Sequence, residues 1–393
     1  MRYHVSHTDK LPRRKTLVIC LLIILSFGNL SAFEYIDHPS NPIFTGSYTW
    51  DGLALISPRV LYEDSIYKMW FAGRNVGLPI QIGYAVSNDG VFWSETVNPI
   101  LMVGPAGSFD SANLKRMSVV HDPAGYKMWY TGVNTAGYHQ IGLATSQDGE
   151  SWTKYDHNPV IATGQEGTWF ESHAHGPAVL KIGNIYHMWF VGRNSVGVVG
   201  IGYAYSLSGI NWIQHEDNPI MMSDPESPWE SDGVSLPEVI QLTNGSFLMF
   251  YAGHDGTYRQ IGMASSSDGI NWTKSTDNPI IQHGEPGTWN EEISTGVTAV
   301  SQGPGQYMLW YTGNAGSGST TWAIGQGNLS AEIMGDLTDD AMINIADILM
   351  LIEIIVGLEE ATDYQLLVGD LLEDGQINVS DLVRLVELTL PGD

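Results

Sequence analysis

Apolar and aromatic positions return along the chain with a period of about 60 residues. Each period contains an apolar stretch of the form [YF]-x-[ML]-[WF]-[FY]-x-G, as expected for a buried strand. It is followed in four copies by an IGxAxS strand and a Gly-x-x-Trp turn. The stretch ends at Gly73, Gly132, Gly192, Gly253 and Gly313, with spacings of 59, 60, 61 and 60 residues. A fixed period of this length, made of short strands and glycine turns, predicts an all-β five-bladed β-propeller.

Each period should supply four strands, because apolar runs alternate with glycine-containing turns. The third copy shows the expected arrangement most clearly. Its predicted strands are Gly176–Leu180, Tyr186–Gly192, Gly200–Ser206 and a fourth that starts at Trp212. The repeated tryptophans of the second strands are expected to pack between blades.

The fifth copy is incomplete, since no Gly-x-x-Trp turn and no Asn-Pro-Ile triplet follow its strands. The missing piece stands at the other end of the chain. Tyr35 precedes Asn41 by six residues, the spacing that Trp152 keeps to Asn158. We therefore predict that Phe33–Asp37 supplies the outer strand of the last blade and closes the ring, with the propeller spanning 33–330.

From Ala331 the composition changes to one rich in Asp, Glu, Leu and Ile. Two similar halves begin at Gly335 and Gly369. Each half reads as a short acidic loop followed by an amphipathic helix, Ile345–Ile355 in the first and Val379–Leu390 in the second. Residues 331–393 should therefore form a separate small all-α domain with calcium loops.

The acidic loops share the pattern D-x-x-x-D-x-x-I-N-x-x-D, whose oxygen donors could wrap a Ca²⁺ ion. The candidate ligands are Asp336, Thr338, Asp340, Met342, Asp347, Asp370, Asp374, Gln376 and Asp381. This segment resembles a dockerin domain, and the resemblance implies calcium binding and docking to a cohesin-type protein. Leu372 stands where a ligand is usual, so the second site should be weak, and a helix pair that no longer needs metal is the alternative.

The N-terminus carries basic residues between Lys10 and Lys15, an apolar run from Leu17 to Leu25, and Ser31-Ala32. This order is typical of a secretory signal, which we expect to occupy 1–32; an uncleaved anchor is the alternative. Cleavage would leave a secreted or cell-surface protein with no stable membrane span. The only cysteine, Cys20, lies inside the apolar run, so the mature chain would hold no disulfide.

The full chain of 393 residues carries 17 Lys and Arg against 43 Asp and Glu, a formal charge of −26. A surface of that sign repels phosphate backbones, so nucleic acid is not an expected partner. The acidity suits divalent cations or solubility.

The five repeats also resemble the five-bladed propellers shared by arabinanases, β-xylosidases, invertases and mannoside phosphorylases. That resemblance implies cleavage of a glycosidic bond by two carboxylates, one acid and one base or nucleophile. This chain departs from the pattern at both places. Ser57-Pro58 stands where a base Asp would precede Pro, and His175-Gly176-Pro177 stands where an acid Glu would precede Gly-Pro.

Other carboxylates recur in an aromatic-acidic segment before each inner strand. Asp51 is the candidate base, with Glu171 or Asp232 as acid; the alternative is a structural cap repeated with the blade. Residues that break the repeat are better functional candidates, and Lys115, Arg116, His173 and His175 are expected to bind substrate. Glu230, one of the recurring carboxylates, is a further candidate for substrate binding. If alternate side chains point to the axis, His173 and His175 share one face and could bind a metal, a sugar hydroxyl or a substrate carboxylate.

The sequence thus favours a secreted carbohydrate-active protein, with hydrolysis of a polysaccharide or oligosaccharide as its activity. The alternative is a non-catalytic glycan-binding or surface-assembly propeller. Ser57 and His175 favour the alternative, because they occupy the positions of the usual base and acid.

Overall fold

A computed structural model provides the structure of the protein. It describes residues 33–331 except 243, 244, 304, 317, 318 and 320, together with 336–338, 343, 345–372 and 375–389. The predicted signal, 1–32, lies outside the described residues, as do the predicted ligands Asp340, Met342 and Asp374.

The described chain is nearly all β, and its strands fall into five consecutive antiparallel groups. A short strand, β1, comes first at Phe33–Asp37. The first group holds β2 to β5, at Ala54–Glu63, Ile66–Arg74, Gln81–Ser87 and Ser94–Glu95. The second holds β6 to β9, at Asn113–Asp122, Gly125–Val133, His139–Ser146 and Thr153–Lys154.

The remaining groups repeat this order. The third holds β10 to β14, at His173–Ile182, Ile185–Arg193, Val199–Ser206, Ile213–Gln214 and Met221–Met222. The fourth holds β15 to β18, at Gly233–Gln241, Phe247–His254, Arg259–Ser266 and Thr273–Lys274. The fifth holds β19 to β21, at Ile293–Gly303, Gln306–Asn314 and Trp322–Ala331.

The groups form a ring, which makes the fold propeller-like. The innermost strands β2, β6, β10, β15 and β19 pack against one another in this order, and β19 packs against β2. In each group the second strand pairs antiparallel with both its neighbours. Strand boundaries in the third group agree with those predicted from the repeat.

The N-terminal strand closes the ring, as the sequence predicts. Strand β1 pairs antiparallel with β21, with Tyr35 opposite Leu329. The hydroxyl of Tyr35 donates to Asp37 at 2.6 Å, and Tyr311 of β20 donates to the same carboxylate at 2.7 Å. This arrangement covers the otherwise free edge of β21.

The repeated tryptophans connect neighbouring groups, which confirms their predicted packing role. Trp70, Trp129, Trp189 and Trp310 are fully buried. Each indole nitrogen donates to the carbonyl of a turn glycine in an adjacent group, at 2.7–2.8 Å. Those glycines have positive φ, and the bond from Trp310 to Gly90 joins the fifth group to the first. The same residues thus satisfy a buried donor and hold the ring together.

The C-terminal part contains three short helices: α1 at Ile345–Ile355, α2 at Asp363–Gly369 and α3 at Val379–Thr389. Helix α1 has the bounds predicted from the sequence. Helix α3 begins at Val379 as predicted and continues to Thr389, the last described residue. Helix α2 was not predicted. Leu337, Ile343, Leu351, Val368 and Leu385 form one buried apolar cluster.

The last Asp of each acidic pattern makes the same contact with the backbone near the start of its loop. Asp347 accepts from the backbone nitrogen of Thr338 at 2.9 Å, and Asp381 accepts from that of Leu372 at 3.1 Å. Both contacts span nine residues, so the structural repeat follows the sequence repeat. No helix in the described ranges is long and apolar enough to cross a membrane.

Candidate active site

A cavity of about 870 Å³ opens where the five innermost strands begin. Every innermost strand contributes to its wall, together with the ends of the second strands and the starts of the third strands. Ligand sites of ring-shaped β folds are concave and few, so this cavity is the candidate active site.

A β-bulge in each innermost strand shapes the wall. The pairing with the second strand shifts at the same place in all five groups. Ser57 and Leu236 sit at the bulge with φ of 53° and 51°, although neither is glycine. A left-handed backbone costs such residues on the order of 1–2 kcal/mol, and strain of this kind concentrates at functional sites. The bulges re-aim the adjacent side chains toward the cavity.

Basic side chains dominate the lining, in contrast to the strongly acidic chain as a whole. Nine of the described lining residues carry a basic group: Arg74, Lys115, Arg116, His139, His173, His175, Arg193, His254 and Arg259. The one carboxylate among the described lining residues is Asp232. The cavity is therefore suited to an anionic group.

Three histidines lie together on one side of the cavity. The ring centroid of His139 is 4.3 Å from that of His173 and 5.3 Å from that of His175, and His173 lies 6.1 Å from His175. His173 and His175 both line the cavity, and their roles in binding a ligand stay predictions. No group of three or more His, Cys, Asp or Glu is placed to hold a metal ion in the part of the chain that the structure describes.

Burial and neighbouring cations keep these histidines neutral. Burial, then Lys115 and His173, lowers the pKa of His139 to about 3. Burial also lowers the pKa of His175 well below its ordinary value and lowers that of His173, where Arg193 adds to the effect. The Nδ1 atom of His139 is buried and has no hydrogen-bond partner. A neutral imidazole of this kind can offer one donor or one acceptor to a ligand.

Arg116 forms part of the cavity floor. Its Nη2 donates to the carbonyl oxygens of Pro237 at 2.7 Å and Val297 at 3.2 Å, and lies 3.6 Å from Glu238. Burial lowers its pKa to about 10, which Glu238 partly offsets. Its Nε and Nη1 are buried without partners. Leaving two buried donors of a charged group without hydrogen bonds costs free energy, which favours a ligand that accepts from them.

Glu238 neutralises charge beneath the cavity. It is buried, forms an ion pair with Arg59, and accepts from Thr298 at 3.3 Å. Asp232 differs, since its side chain is 63% exposed and its Oδ2 lies 3.0 Å from Nδ1 of His254. Asp232 can therefore reach a substrate, and His254 lies within hydrogen-bond distance of it.

The other predicted carboxylates lie away from the cavity lining. Asp51 is fully buried and accepts from the backbone nitrogen of Tyr48 at 2.9 Å. Glu171 accepts from backbone nitrogens of Gly167 and Ser195, the latter at 2.7 Å. Glu230 is buried and pairs with Lys274. The predicted catalytic or binding roles of these three remain predictions, and their contacts are those of turns and caps.

Lys115 and Arg116 line the cavity with His173 and His175, so the structure brings these four predicted binding residues together. Burial, followed by the charge of Arg74, lowers the pKa of Lys115. Five further lining residues at the strand ends are not among the residues predicted from the sequence: Arg74, His139, Arg193, His254 and Arg259. A signal for three of them exists, since Arg74, Arg193 and His254 each follow the repeated glycine, where the other two copies have Val133 and Asn314.

The chain belongs to glycoside hydrolase family 130. The family model, described as beta-1,4-mannooligosaccharide phosphorylase, matches residues 125–325, just over half of the chain. A beta-1,2-mannobiose phosphorylase of Thermoanaerobacter sp. strain X514 is 27% identical over 135 residues, 30% of this chain and 44% of that protein. An uncharacterized protein of Mycobacterium tuberculosis is 25% identical over 276 residues, 67% of this chain and 88% of that one.

Solved structures share the fold. A glycosyl hydrolase from Bacteroides ovatus superposes with a TM-score of 0.60 at 16% identity, covering 77% of this chain and 94% of that one. A member of the GH130 family of mannoside phosphorylases, which contains glycoside hydrolases that target beta-1,2 mannosidic linkages in Candida mannan, superposes with a TM-score of 0.59 at 18% identity. That match covers 78% of this chain and 95% of the other. These likenesses show a propeller-like fold, and the family match supports a carbohydrate-active protein.

Proposed function

We propose that this protein is a five-bladed propeller that cleaves a mannoside by phosphorolysis, with inorganic phosphate as the nucleophile. The observation that carries the proposal is the composition of the cavity: one carboxylate, Asp232, among nine basic residues. Hydrolysis by the usual pair of carboxylates needs a second acid in reach of the substrate. Phosphorolysis needs only one acid, because the phosphate brings its own nucleophilic oxygen.

The phosphate would bind among Arg74, Lys115 and Arg193, beside the three histidines. Guanidinium groups bind phosphate oxygens with two parallel hydrogen bonds, and Lys supplies a compact charge. Burial already lowers the pKa of Lys115, with Arg74 adding to the effect, so a bound dianion would relieve a real repulsion. The neutral imidazole of His139 could donate or accept at the edge of the same anion.

In the reaction, a phosphate oxygen attacks the anomeric carbon of the mannosyl unit and forms a new C–O bond. The glycosidic C–O bond breaks, and its electron pair stays with the departing sugar oxygen. The proton held between Asp232 and His254 passes to that oxygen. The products are a mannose 1-phosphate and a saccharide shorter by one unit, and proton transfer of this kind contributes about 10²–10⁴-fold to the rate.

Hydrolysis remains the second candidate, since the solved family relative belongs to a family containing glycoside hydrolases. A non-catalytic glycan-binding propeller is the third, supported by Ser57 and His175 at the positions of the usual base and acid. Turnover separates catalysis from binding alone.

Purified protein should be incubated with phosphate and a panel of β-1,2- and β-1,4-linked mannobioses. We expect turnover, and we expect Asp232→Asn to lower kcat by at least about 100-fold. Glu216→Gln, a change of an exposed carboxylate outside the cavity, is the matched control and should keep its rate. Binding without turnover would contradict an enzymatic role, and full activity of Asp232→Asn would contradict the assignment of the acid.

For the C-terminal part, we propose a dockerin-like module that binds Ca²⁺ and docks to a cohesin-type partner. The support is the doubled loop-helix pattern, with Asp347 and Asp381 buried at the last position of each loop and Asp336 buried at the first position of the first loop. Such carboxylates are hard oxygen donors suited to calcium. The first loop should bind more tightly, because Thr338 offers an oxygen where the second loop has Leu372.

We also propose that the protein is exported and works outside the cell or on its surface. The support is the sequence of 1–32, with its basic start and short apolar run. A docking module and an enzyme that acts on extracellular glycans would both work outside the cell or on its surface. Fractionation of the producing cell, with detection of a mature chain that starts near residue 33, would test this.

A further inference from the structure

Two strand groups contain the same internal ion pair at the same repeat position. Asp110 pairs with Lys154, and Glu230 pairs with Lys274. Both pairs span 44 residues. In both, the ammonium group also donates to a nearby backbone carbonyl, that of Met102 at 2.7 Å or Met222 at 2.8 Å. A cation thus sits between a buried carboxylate and a carbonyl oxygen in each group.

The first group has a second carboxylate where these groups have the lysine. Glu95 pairs with Ala85 in the register in which Lys154 pairs with Ala144 and Lys274 with Ala264. It stands 44 residues after Asp51, which occupies the position of Asp110 and Glu230. The repeat therefore brings two acids together at a point where the fold elsewhere places a positive charge.

Oxygens of both acids remain unsatisfied. Asp51 is fully buried, and its Oδ2 has no hydrogen-bond partner. The Oε2 atom of Glu95 is likewise buried and without a partner, while its Oε1 accepts from the hydroxyl of Ser47. Burial, with the charge of Asp51 in addition, raises the pKa of Glu95 to about 7. Two unpaired buried acids are costly unless a cation joins them.

The remaining two groups do not place two carboxylates without hydrogen-bond partners at these positions. In the third, Phe170 and Gln214 occupy the two positions, so neither carries a charge. In the fifth, Asn290 and Asp37 occupy the two positions, and that carboxylate accepts from Tyr35, Tyr311 and Asn41.

We propose that Asp51 and Glu95 bind a divalent cation, with calcium as the expected ion, in place of the lysine ammonium of the other groups. Two carboxylates match a divalent charge, and oxygen donors match a hard cation. The hydroxyl of Ser47 is a further oxygen at the site. Thr45 occupies the chain position of Met102 and Met222, so its carbonyl is the counterpart of the one that accepts from lysine. The site is separate from the axial cavity and would serve stability.

The test uses the full chain, titrated with calcium by calorimetry and melted with calcium or with EDTA. We expect Glu95→Lys to bind one calcium ion fewer than the wild type, while the C-terminal loops remain as an internal reference. Wild-type Tm should rise by roughly 5 °C more than that of the variant at about 100 times the Kd. In EDTA, Glu95→Lys should melt higher than the wild type, because it restores the acid–base pair.

Lys154→Gln is the matched control, since it changes the equivalent position in the second group and should leave the calcium stoichiometry unchanged. Glu95→Gln, which is nearly isosteric, guards against misfolding of the lysine variant and should also lose one ion. Equal stoichiometry and equal calcium shifts in all variants would overturn the proposal. A wild-type Tm that falls as pH rises from 5 to 7.5, with no response to calcium, would also overturn it and assign a shared proton instead.

Discussion

The guanidinium of Arg116 donates to the carbonyl oxygen of Pro237 at 2.7 Å, joining the second innermost strand to the fourth across the ring. Its Nε and Nη1 remain buried and unpartnered beside the cavity. The same side chain thus belongs both to the packing of the axis and to the candidate site.

Replacing Arg116 with Met should reduce stability by about 2 kcal/mol, because Pro237 and Val297 lose their donor and Glu238 loses one of its two cationic partners, keeping Arg59. Denaturant unfolding measures the loss. Lys181→Met, which removes a partly exposed ion pair with Asp122, should lose much less. Equal losses would show that Arg116 does not support the axis.

Stability should depend on the protonation of His139. Burial and neighbouring cations lower the pKa of this residue to about 3 in the folded state, against an ordinary value near 6.5. Between about pH 6.5 and 3, His139 is protonated in the unfolded chain and neutral in the folded chain. The free energy of unfolding should therefore fall as pH drops below about 6.5. His139→Gln should melt with a shallower dependence on pH between 7.5 and 4.5. Identical slopes would show that His139 protonates freely in the folded protein.

Strand β1 should contribute to stability through Tyr35. Its ring packs against Tyr311 and against Gly327, and its hydroxyl reaches Asp37. Tyr35→Ala should cost about 2–4 kcal/mol, because a packed aromatic ring and a hydrogen bond are lost. Ile36→Ala changes a neighbouring residue that is 56% exposed and should cost little. If both variants unfold alike, the closing strand does not stabilise the ring.

Calcium should increase the helicity and protease resistance of the C-terminal part. Asp347 is fully buried at the last position of the first loop, where a carboxylate ligand is expected. Circular dichroism with calcium added to millimolar levels checks this, with Asp347→Asn expected to need more calcium. An unchanged spectrum up to that concentration would support the alternative of a helix pair that no longer needs metal.

The sequence predicts the strand repeat well because packing is periodic. Trp70, Trp129 and Trp189 recur because each donates to the equivalent turn glycine of its neighbouring group. The spacing between Tyr35 and Asn41 likewise predicts the position of β1. The first C-terminal helix follows from its apolar period in the same way.

The candidate site was harder to predict, because periodicity conceals it. Two of the recurring carboxylates were predicted to act on substrate, yet Glu230 pairs with Lys274 and Glu171 accepts from backbone amides. The charged residues that line the cavity instead lie where the copies differ, at strand ends such as Arg74 and His254. Their convergence depends on the curvature of the ring and on the bulges, which a single sequence does not reveal.

The identity of the sugar product tests the central claim most directly. Mannobiose should be incubated with the protein in buffer with and without inorganic phosphate, and the products resolved by chromatography. The account predicts mannose 1-phosphate, formed only when phosphate is present and in amounts equal to the phosphate consumed. Free mannose released at the same rate in both buffers would contradict it and assign hydrolysis.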